Sequence, residues 1–296
     1  MSNYDDLLSN TPAEPKQAVP QLSKEEYAAK KQAEREGLFT LSDNTALDVA
    51  GDRDKFIQYL DTQGKFDRYS AVNVLLIMAQ KPEATRVADF DTWKAKGGAP
   101  RLGQTGIGIL EPHEYTKEDG SPGVGYNIKK VFDISQIDTR RMKPGTPPPT
   151  YTDRQILGAL ISKAPMKITG VDTLPDGGGA KTDPQTGEIQ VLRDMGFTDT
   201  FRSVAHELCY AEAARSDAAA DPQFTAYCAS YVLCKKYGVD TKDYNFDSLG
   251  YVFNDMDAKA VKGELSQIRD AAESISGRMA KQLAPADKPP RNTEAR

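Results

Sequence analysis

The run Pro144-Gly145-Thr146-Pro147-Pro148-Pro149 constrains the fold more than any other feature, because it interrupts every hydrophobic periodicity in the chain. Proline fixes its own φ and lacks an amide proton, so neither a helix nor an interior strand continues through such a run. The chain of 296 residues fits about two domains of ordinary size. We therefore predict one domain over 51–143 and another over 150–283. Residues 1–50 are predicted to be a mostly disordered extension with a helix, and 284–296 a disordered tail.

The hydrophobic pattern predicts an α+β fold class on both sides of this run. Helices are predicted from a capping box at Ser23 to about Gly37, at 51–63, from Ser70 to Pro82, from an Asp153 cap to Ala164, and at 198–215, 222–237 and 257–283. Strands are predicted at 106–110, 126–133, 167–171 and 188–192, with a hairpin loop over the polar, glycine-containing stretch 116–125. The second domain is thus expected to be largely helical with a small sheet.

Composition excludes several classes of protein. No apolar run approaches the ~20 residues that a membrane span needs, and the first residues lack the features of a signal peptide. Three cysteines are too few for a disulfide framework, so the predicted location is the cytoplasm. Residues 52–145 hold 15 Lys/Arg against 13 Asp/Glu and are the only cationic part of a chain with net charge −5. This slight excess is compatible with nucleic-acid binding there.

The stretch His206-Glu207-Leu208-Cys209-Tyr210 resembles a zinc-peptidase helix that lacks its second histidine. In the motif H-E-x-x-H, residues i and i+4 share a helical face and hold one Zn²⁺, while the glutamate acts as general base. A tyrosine at the i+4 position stays protonated near neutral pH and is a poor zinc ligand. The only other histidine is His113, far upstream. The pair His206 and Glu207 therefore has to be judged from its surroundings.

One segment of the sequence carries a resemblance to a known family. It begins Phe66-Asp67-Arg68-Tyr69-Ser70, continues through Gln80-Lys81-Pro82-Glu83-Ala84-Thr85-Arg86-Val87 and Gly106-Ile107-Gly108-Ile109-Leu110-Glu111-Pro112, and closes with Val131-Phe132-Asp133-Ile134-Ser135-Gln136. It resembles the N-terminal single-stranded-DNA-binding domain of ArdC-type antirestriction proteins, including the LtrC-like proteins of conjugative elements. The resemblance implies single-stranded DNA as a partner. Aromatic faces stack on bases and cations meet phosphates, so the candidate DNA-binding residues are Tyr69, Asn73, Gln80, Arg86, Trp93, Lys94, Lys96 and Arg101.

The second half resembles the zincin-like metallopeptidase domain that follows in those proteins. In the family a later helix supplies a glutamate as third metal ligand, and the matching position here is Tyr227. The degenerate ligand positions are then His206, Tyr210 and Tyr227, and the two tyrosines are expected to fill the emptied site and hydrogen-bond one another or His206. We expect no cofactor, zinc included, and no catalytic residue, with His206 and Glu207 as relics. A rebuilt metal site with Cys209 and Cys228 is the alternative at this position.

Together these features predict a cytoplasmic accessory and antirestriction protein of a mobile genetic element, active in conjugative transfer. It would bind single-stranded DNA without sequence preference and carry a metallopeptidase-like domain that is a pseudoenzyme. One alternative is an active metallopeptidase with an unorthodox ligand set. Another is an inhibitor that binds a host restriction or defence enzyme.

Overall fold

The structure, a computed structural model, describes residues 23–143, 149–175, 177–216, 219–247 and 252–284. Most of the proline run, much of the N-terminal extension and the C-terminal tail lie outside these residues. The helices are α1 (Lys24–Gly51), α2 (Arg53–Lys65), α3 (Ala71–Gln80), α4 (Phe90–Ala95), α5 (Asp153–Ile161), α6 (Phe197–Ala213), α7 (Pro222–Tyr237) and α8 (Ala258–Leu283). The strands are β1 (Val87–Asp89), β2 (Ala99–Pro100), β3 (Ile107–Thr116), β4 (Pro122–Asp133), β5 (Ile137–Asp138), β6 (Ile168–Val171), β7 (Ala180–Thr182) and β8 (Ile189–Leu192).

The strands form separate small sheets. In the first half β1, β4 and β3 make an antiparallel sheet in the order β1-β4-β3, and β2 pairs with β5. In the second half β8 lies between β6, which runs parallel to it, and β7, which runs antiparallel. Helices pack around both sheets, so the predicted α+β fold class is confirmed. None of the described helices is long and apolar enough to cross a membrane.

Most helix ends follow from local capping chemistry. The Ser23 hydroxyl accepts from the backbone of Glu26, whose carboxylate accepts from the Ser23 amide, so the predicted capping box forms. The predicted cap of α5 is wrong by one residue, because the Thr152 hydroxyl caps this helix and Gln155 completes the box. Gly238 ends α7 at φ +70°, a left-handed conformation that glycine adopts without steric cost.

Two predicted boundaries are wrong because tertiary packing decides them. Helix α1 does not end near Gly37 but continues to Gly51, since its second half packs Ala46 and Val49 into the core at 0% exposure. The hairpin loop is also shorter than the predicted 116–125. Strands β3 and β4 are already paired at Thr116 and Pro122, next to the turn, so Gly123 and Gly125 belong to a strand.

One cluster of buried side chains runs through both halves of the chain. Helix α2 packs on α7, where a Cβ on Gly64 would lie 3.4 Å from the Val232 carbonyl oxygen. Polar contacts reinforce this junction, since the Tyr231 hydroxyl donates to Asp61 at 2.8 Å and Lys236 pairs with Asp67 at 2.6 Å. The two halves therefore stabilise each other through a shared core.

Candidate functional site

A groove of about 800 Å³ is lined by residues of α1, α3, α8 and all three strands of the β1-β4-β3 sheet. Its walls carry both aromatic and cationic side chains: Phe39, Tyr69 and Tyr126, and Arg68, Lys129, Lys262 and Arg269. Rings that offer faces to bases and cations that offer charge to phosphates are the components of a single-strand site. The carboxylates Asp89 and Glu111 also line the groove.

Two of the predicted DNA-binding residues, Asn73 and Gln80, cover part of the β3 edge with their side chains. Asn73 exchanges two hydrogen bonds with the backbone of Leu110, at 2.8 and 2.9 Å. Two helical turns later, Gln80 does the same with Gly108, at 2.9 and 2.8 Å. An unpaired strand edge exposes backbone groups that another chain can pair with. Pro112, the next residue whose nitrogen faces outward, has no proton to donate.

Arg68 and Tyr69, two consecutive residues, both line the groove. Tyr69 is half-buried in the groove wall, and burial, followed by the nearby Asp89 carboxylate, raises the pKa of its hydroxyl. Arg68 is exposed, and no carboxylate among the described residues pairs with it. Lys129 is instead held between Asp89 at 3.2 Å and Glu111 at 3.0 Å. Arg68 is therefore the groove cation that is most available to an incoming anion.

The remaining predicted residues form a separate cluster around Trp93. This side chain is 0% exposed, and its indole nitrogen donates to the Phe132 carbonyl at 2.8 Å. The Arg86 guanidinium and the Lys96 ammonium lie 5.2 and 5.4 Å from its ring centroid, in cation–π geometry. Arg101 donates to the Ser135 carbonyl, and Lys94 and Arg101 are exposed. Trp93 thus has no free face for a base, whereas the cations around it do reach solvent.

A second cavity, of about 220 Å³, lies beside His206 between α6, α7 and β7. The Glu207 carboxylate accepts from the Thr182 amide at 2.8 Å and from the Thr182 hydroxyl at 2.7 Å, both through Oε2. Its Oε1 lies 3.4 Å from His206 Nδ1. Burial alone raises the pKa of Glu207, but the contacts with His206 and Thr182 outweigh it, so the pKa is lowered. Glu207 therefore ties the outer strand β7 to helix α6 as a carboxylate.

The two tyrosines at the degenerate ligand positions occupy different surroundings. Tyr227 lines the cavity, and its hydroxyl accepts from the Asn245 backbone amide at 2.6 Å. Its ring packs on that of Tyr244, with the ring centroids 4.9 Å apart. Tyr210 packs against the hydrophobic core and is not among the residues that line the cavity. The expected bond between these tyrosines, or from either to His206, does not form among the described residues, and the Tyr227 hydroxyl instead accepts from the Asn245 backbone amide.

The residues beside His206 do not fit a zinc ion. Zinc in proteins needs at least three Cys, His or carboxylate ligands around one point. Among the described residues, no three such side chains are grouped in a way that could hold a metal. Cys209 and Cys228 are 0% exposed, and burial raises the pKa of both thiols well above its usual value, which disfavours the thiolate that binds metal. The cavity wall instead carries the Arg202 guanidinium, paired with Asp243 at 2.6 Å.

Comparison with known proteins identifies the first half. The family model described as the N-terminal domain of anti-restriction factor ArdC matches residues 52–141. This part of the chain is an ArdC N-terminal domain. The ArdC N-terminal domain contains α2, α3, the β1-β4-β3 sheet and most of the groove walls, and the resemblance predicted from the sequence of this half is confirmed.

Two solved structures are similar to this chain. The metal-free crystal structure of antirestriction ArdC protein from the R388 plasmid aligns at 18% identity with a TM-score of 0.48, over 72% of this chain and 86% of that one. The Mn(II)-bound structure of that protein aligns at 18% identity with the same TM-score, over 74% and 86%. No protein with a curated description matches the chain.

Sequence reasoning missed several groove residues that lie outside the ArdC N-terminal domain. Phe39 comes from α1, and Lys262 and Arg269 come from α8, where they are seven residues apart and share a helical face. That spacing is visible in the sequence, but the packing of α8 on α1 and α3 is not. Lys262 pairs with Asp43, and Arg269 pairs with its helix neighbours, so both are partly neutralised.

Proposed function

We propose that this chain binds single-stranded DNA in the groove beside β3, as a cytoplasmic antirestriction accessory protein of a mobile genetic element. The observation that supports this most is the groove itself, which combines rings and cations, most of them within the ArdC N-terminal domain. In this proposal residues 51–143 are the DNA-binding domain and 150–283 a metallopeptidase-like domain. Tyr69 stacks on a base, Arg68 meets a phosphate, and the cations Arg86, Lys94, Lys96 and Arg101 extend the contact to the backbone.

Asn73 and Gln80 take a supporting role in this proposal. Their amide groups are engaged with the backbone of β3. They hold the strand edge that forms the groove floor, so we expect them to act on DNA through the shape of the groove. Trp93 acts in the same way, because its buried ring positions Arg86 and Lys96.

Fluorescence anisotropy with a labelled oligo-dT at low salt tests the DNA-binding half. Arg68→Gln should lower the slope of log affinity against log salt concentration by about 0.7, the value for one phosphate contact on a single strand. Tyr69→Ala should weaken binding about fivefold or more at every salt concentration, because one stacking contact is lost. Lys242→Gln, which removes an exposed charge outside the groove, is the matched control and should leave both quantities unchanged.

The same proposal holds that the cavity beside His206 supports no zinc chemistry. The observation behind it is that the Glu207 carboxylate is engaged by Thr182 and His206 and that, among the described residues, no three metal-binding side chains are grouped there. Metal analysis of protein purified without a histidine tag should give far less than one zinc per chain. Stoichiometric zinc, together with a peptidase activity that Glu207→Gln abolishes, would instead establish the alternative of a metallopeptidase with an unorthodox ligand set.

A restriction-protection assay distinguishes protection through DNA binding from protection through inhibition of a host protein. If protection of incoming DNA depends on the groove, the Arg68→Gln and Tyr69→Ala variants should lose it in proportion to their loss of DNA affinity. Full protection by a variant that no longer binds DNA would point to a host restriction or defence protein as the target.

A further inference from the structure

The β3–β4 hairpin continues beyond the groove and carries two aromatic rings that lie flat on glycines. His113 pairs across the strands with Gly125, and Tyr115 with Gly123. A Cβ on Gly123 would lie 2.6 Å from Tyr115 Cζ and 2.9 and 3.0 Å from its two Cε atoms. These distances place the point directly above the ring face, since a point at the rim would be much farther from the Cε atoms. A Cβ on Gly125 would likewise lie 2.6 Å from both Cε1 and Nε2 of His113.

Each ring therefore has one face covered by a glycine and the opposite face open to water. Tyr115 is 49% exposed, and His113 is also exposed. The two ring centroids are 6.3 Å apart, close to the ~7 Å expected for side chains two residues apart on a strand. Glycine at both cross-strand positions is what allows this arrangement, because any larger residue would lift the rings off the sheet.

These rings form a strip that is continuous with the groove. Residues two apart on a strand share a face, so Ile109, Glu111, His113 and Tyr115 of β3 point the same way. Ile109 and Glu111 line the groove, and the strip runs from there towards the tip of the hairpin. Lys117 comes at the far end, where its ammonium adds a positive charge.

We propose that this aromatic strip, His113 and Tyr115, stacks on the bases of a single strand of DNA as it leaves the groove. Flat rings with one free face match unpaired bases, which stack on aromatic side chains regardless of sequence. A duplex offers no such faces, because its bases are stacked on one another. The strip rests on the proposed function and lengthens its site by about two nucleotides, with Lys117 placed to meet a phosphate.

The test measures oligo-dT affinity as a function of length, from about 4 to 16 nucleotides, with the full-length protein. Tyr115→Ala should weaken binding of the long oligonucleotides about fivefold and leave the shortest bound ones unchanged, because those fill the groove alone. The salt dependence should stay the same, since no charge is lost. Tyr115→Phe keeps the ring and should keep the affinity. Val124→Ala, on the opposite face of the hairpin, is the matched control.

Two further variants separate stacking from a loss of fold. Gly123→Ala keeps Tyr115 but displaces its ring from the sheet, so it should reduce affinity for long oligonucleotides as the Tyr115→Ala change does. An oligonucleotide with abasic sites at the positions beyond the groove should bind wild type and Tyr115→Ala equally well. Circular dichroism of each variant checks that the hairpin domain is still folded.

The outcomes distinguish the strip from the groove. If wild type binds oligo-dT and Arg68→Gln reduces the salt slope, but Tyr115→Ala, His113→Ala and Gly123→Ala bind as wild type does, the strip is refuted and the groove stands. Equal weakening for short and long oligonucleotides also refutes the strip. If wild type binds no oligo-dT at low salt, the proposed function itself fails.

Discussion

Asp133 joins the start of β1 to the end of β4 through a buried carboxylate. It is 1% exposed, and its Oδ1 accepts from the backbone amides of Thr85 and Arg86, both at 2.8 Å. Its Oδ2 accepts from the Ser135 amide at 2.8 Å. These bonds fix the start of β1 against the end of β4, and therefore fix one wall of the groove.

The substitution Asp133→Asn tests this arrangement with almost no change in volume. The asparagine oxygen can keep the bonds from Thr85 and Arg86, but its amide nitrogen then faces the Ser135 N–H, donor against donor. One charge-assisted hydrogen bond is lost and a buried amide is left without an acceptor, at a combined cost of about 2–4 kcal/mol in the free energy of unfolding. The effect on groove geometry should also lower DNA affinity.

The same contacts predict how stability depends on pH. Burial alone raises the pKa of Asp133, but the hydrogen bonds from Ser135, Arg86 and Thr85 outweigh it, so the pKa lies below its ordinary 3.8. A carboxyl with a lowered folded-state pKa contributes stability that is present above the unfolded value and lost as the pH falls through the folded one. The difference between wild type and Asp133→Asn should therefore be constant from about pH 7 to pH 5 and shrink below about pH 4.

Urea unfolding followed by circular dichroism measures this difference, with Asp138→Asn as the control. Asp138 lies in the same region but pairs with Arg140 at the surface, where its replacement should change stability little. A difference below about 0.5 kcal/mol for Asp133→Asn at neutral pH, or one that grows as the pH falls below 4, would refute the reasoning.

Three other predictions concern side chains whose roles the structure defines. Asn73→Ala should cost about 2–4 kcal/mol in urea unfolding, because both backbone groups of Leu110 lose their partners, and an unchanged midpoint would contradict this. Trp93 should emit at short wavelength, resist quenching by acrylamide and change little when oligo-dT binds, because its ring is covered; strong quenching by DNA would show that it is accessible. The three thiols should react slowly with Ellman's reagent in native protein and fully after unfolding, since burial holds them as thiols, and rapid reaction without denaturant would disprove that.

Local chemistry made most of the helices predictable from sequence. Ser23, Ser70 and Gly238 mark helix ends by capping rules that depend on neighbours in the chain, and the structure places helix ends there. The resemblance to ArdC could also be recognised from the sequence. Residues that carry it, such as Asp133 and Gln136, bond to backbone groups of their own segment or of neighbouring segments.

Long-range packing accounts for what the sequence did not reveal. Trp93 has the chemistry of a stacking residue, but only the tertiary structure shows that its ring is enclosed. Gly123 and Gly125 led to the prediction of a loop, because a glycine within a strand is unfavourable unless something covers it. Here the covering groups are the rings of His113 and Tyr115 on the partner strand, and their register depends on the length of the turn.

The pair His206 and Glu207 shows that a motif associated with catalysis can also hold a fold together. Glu207 Oε2 accepts two hydrogen bonds from Thr182, and Oε1 lies 3.4 Å from His206 Nδ1. The carboxylate thus has a structural role, since without it β7 would lose these two hydrogen bonds to α6.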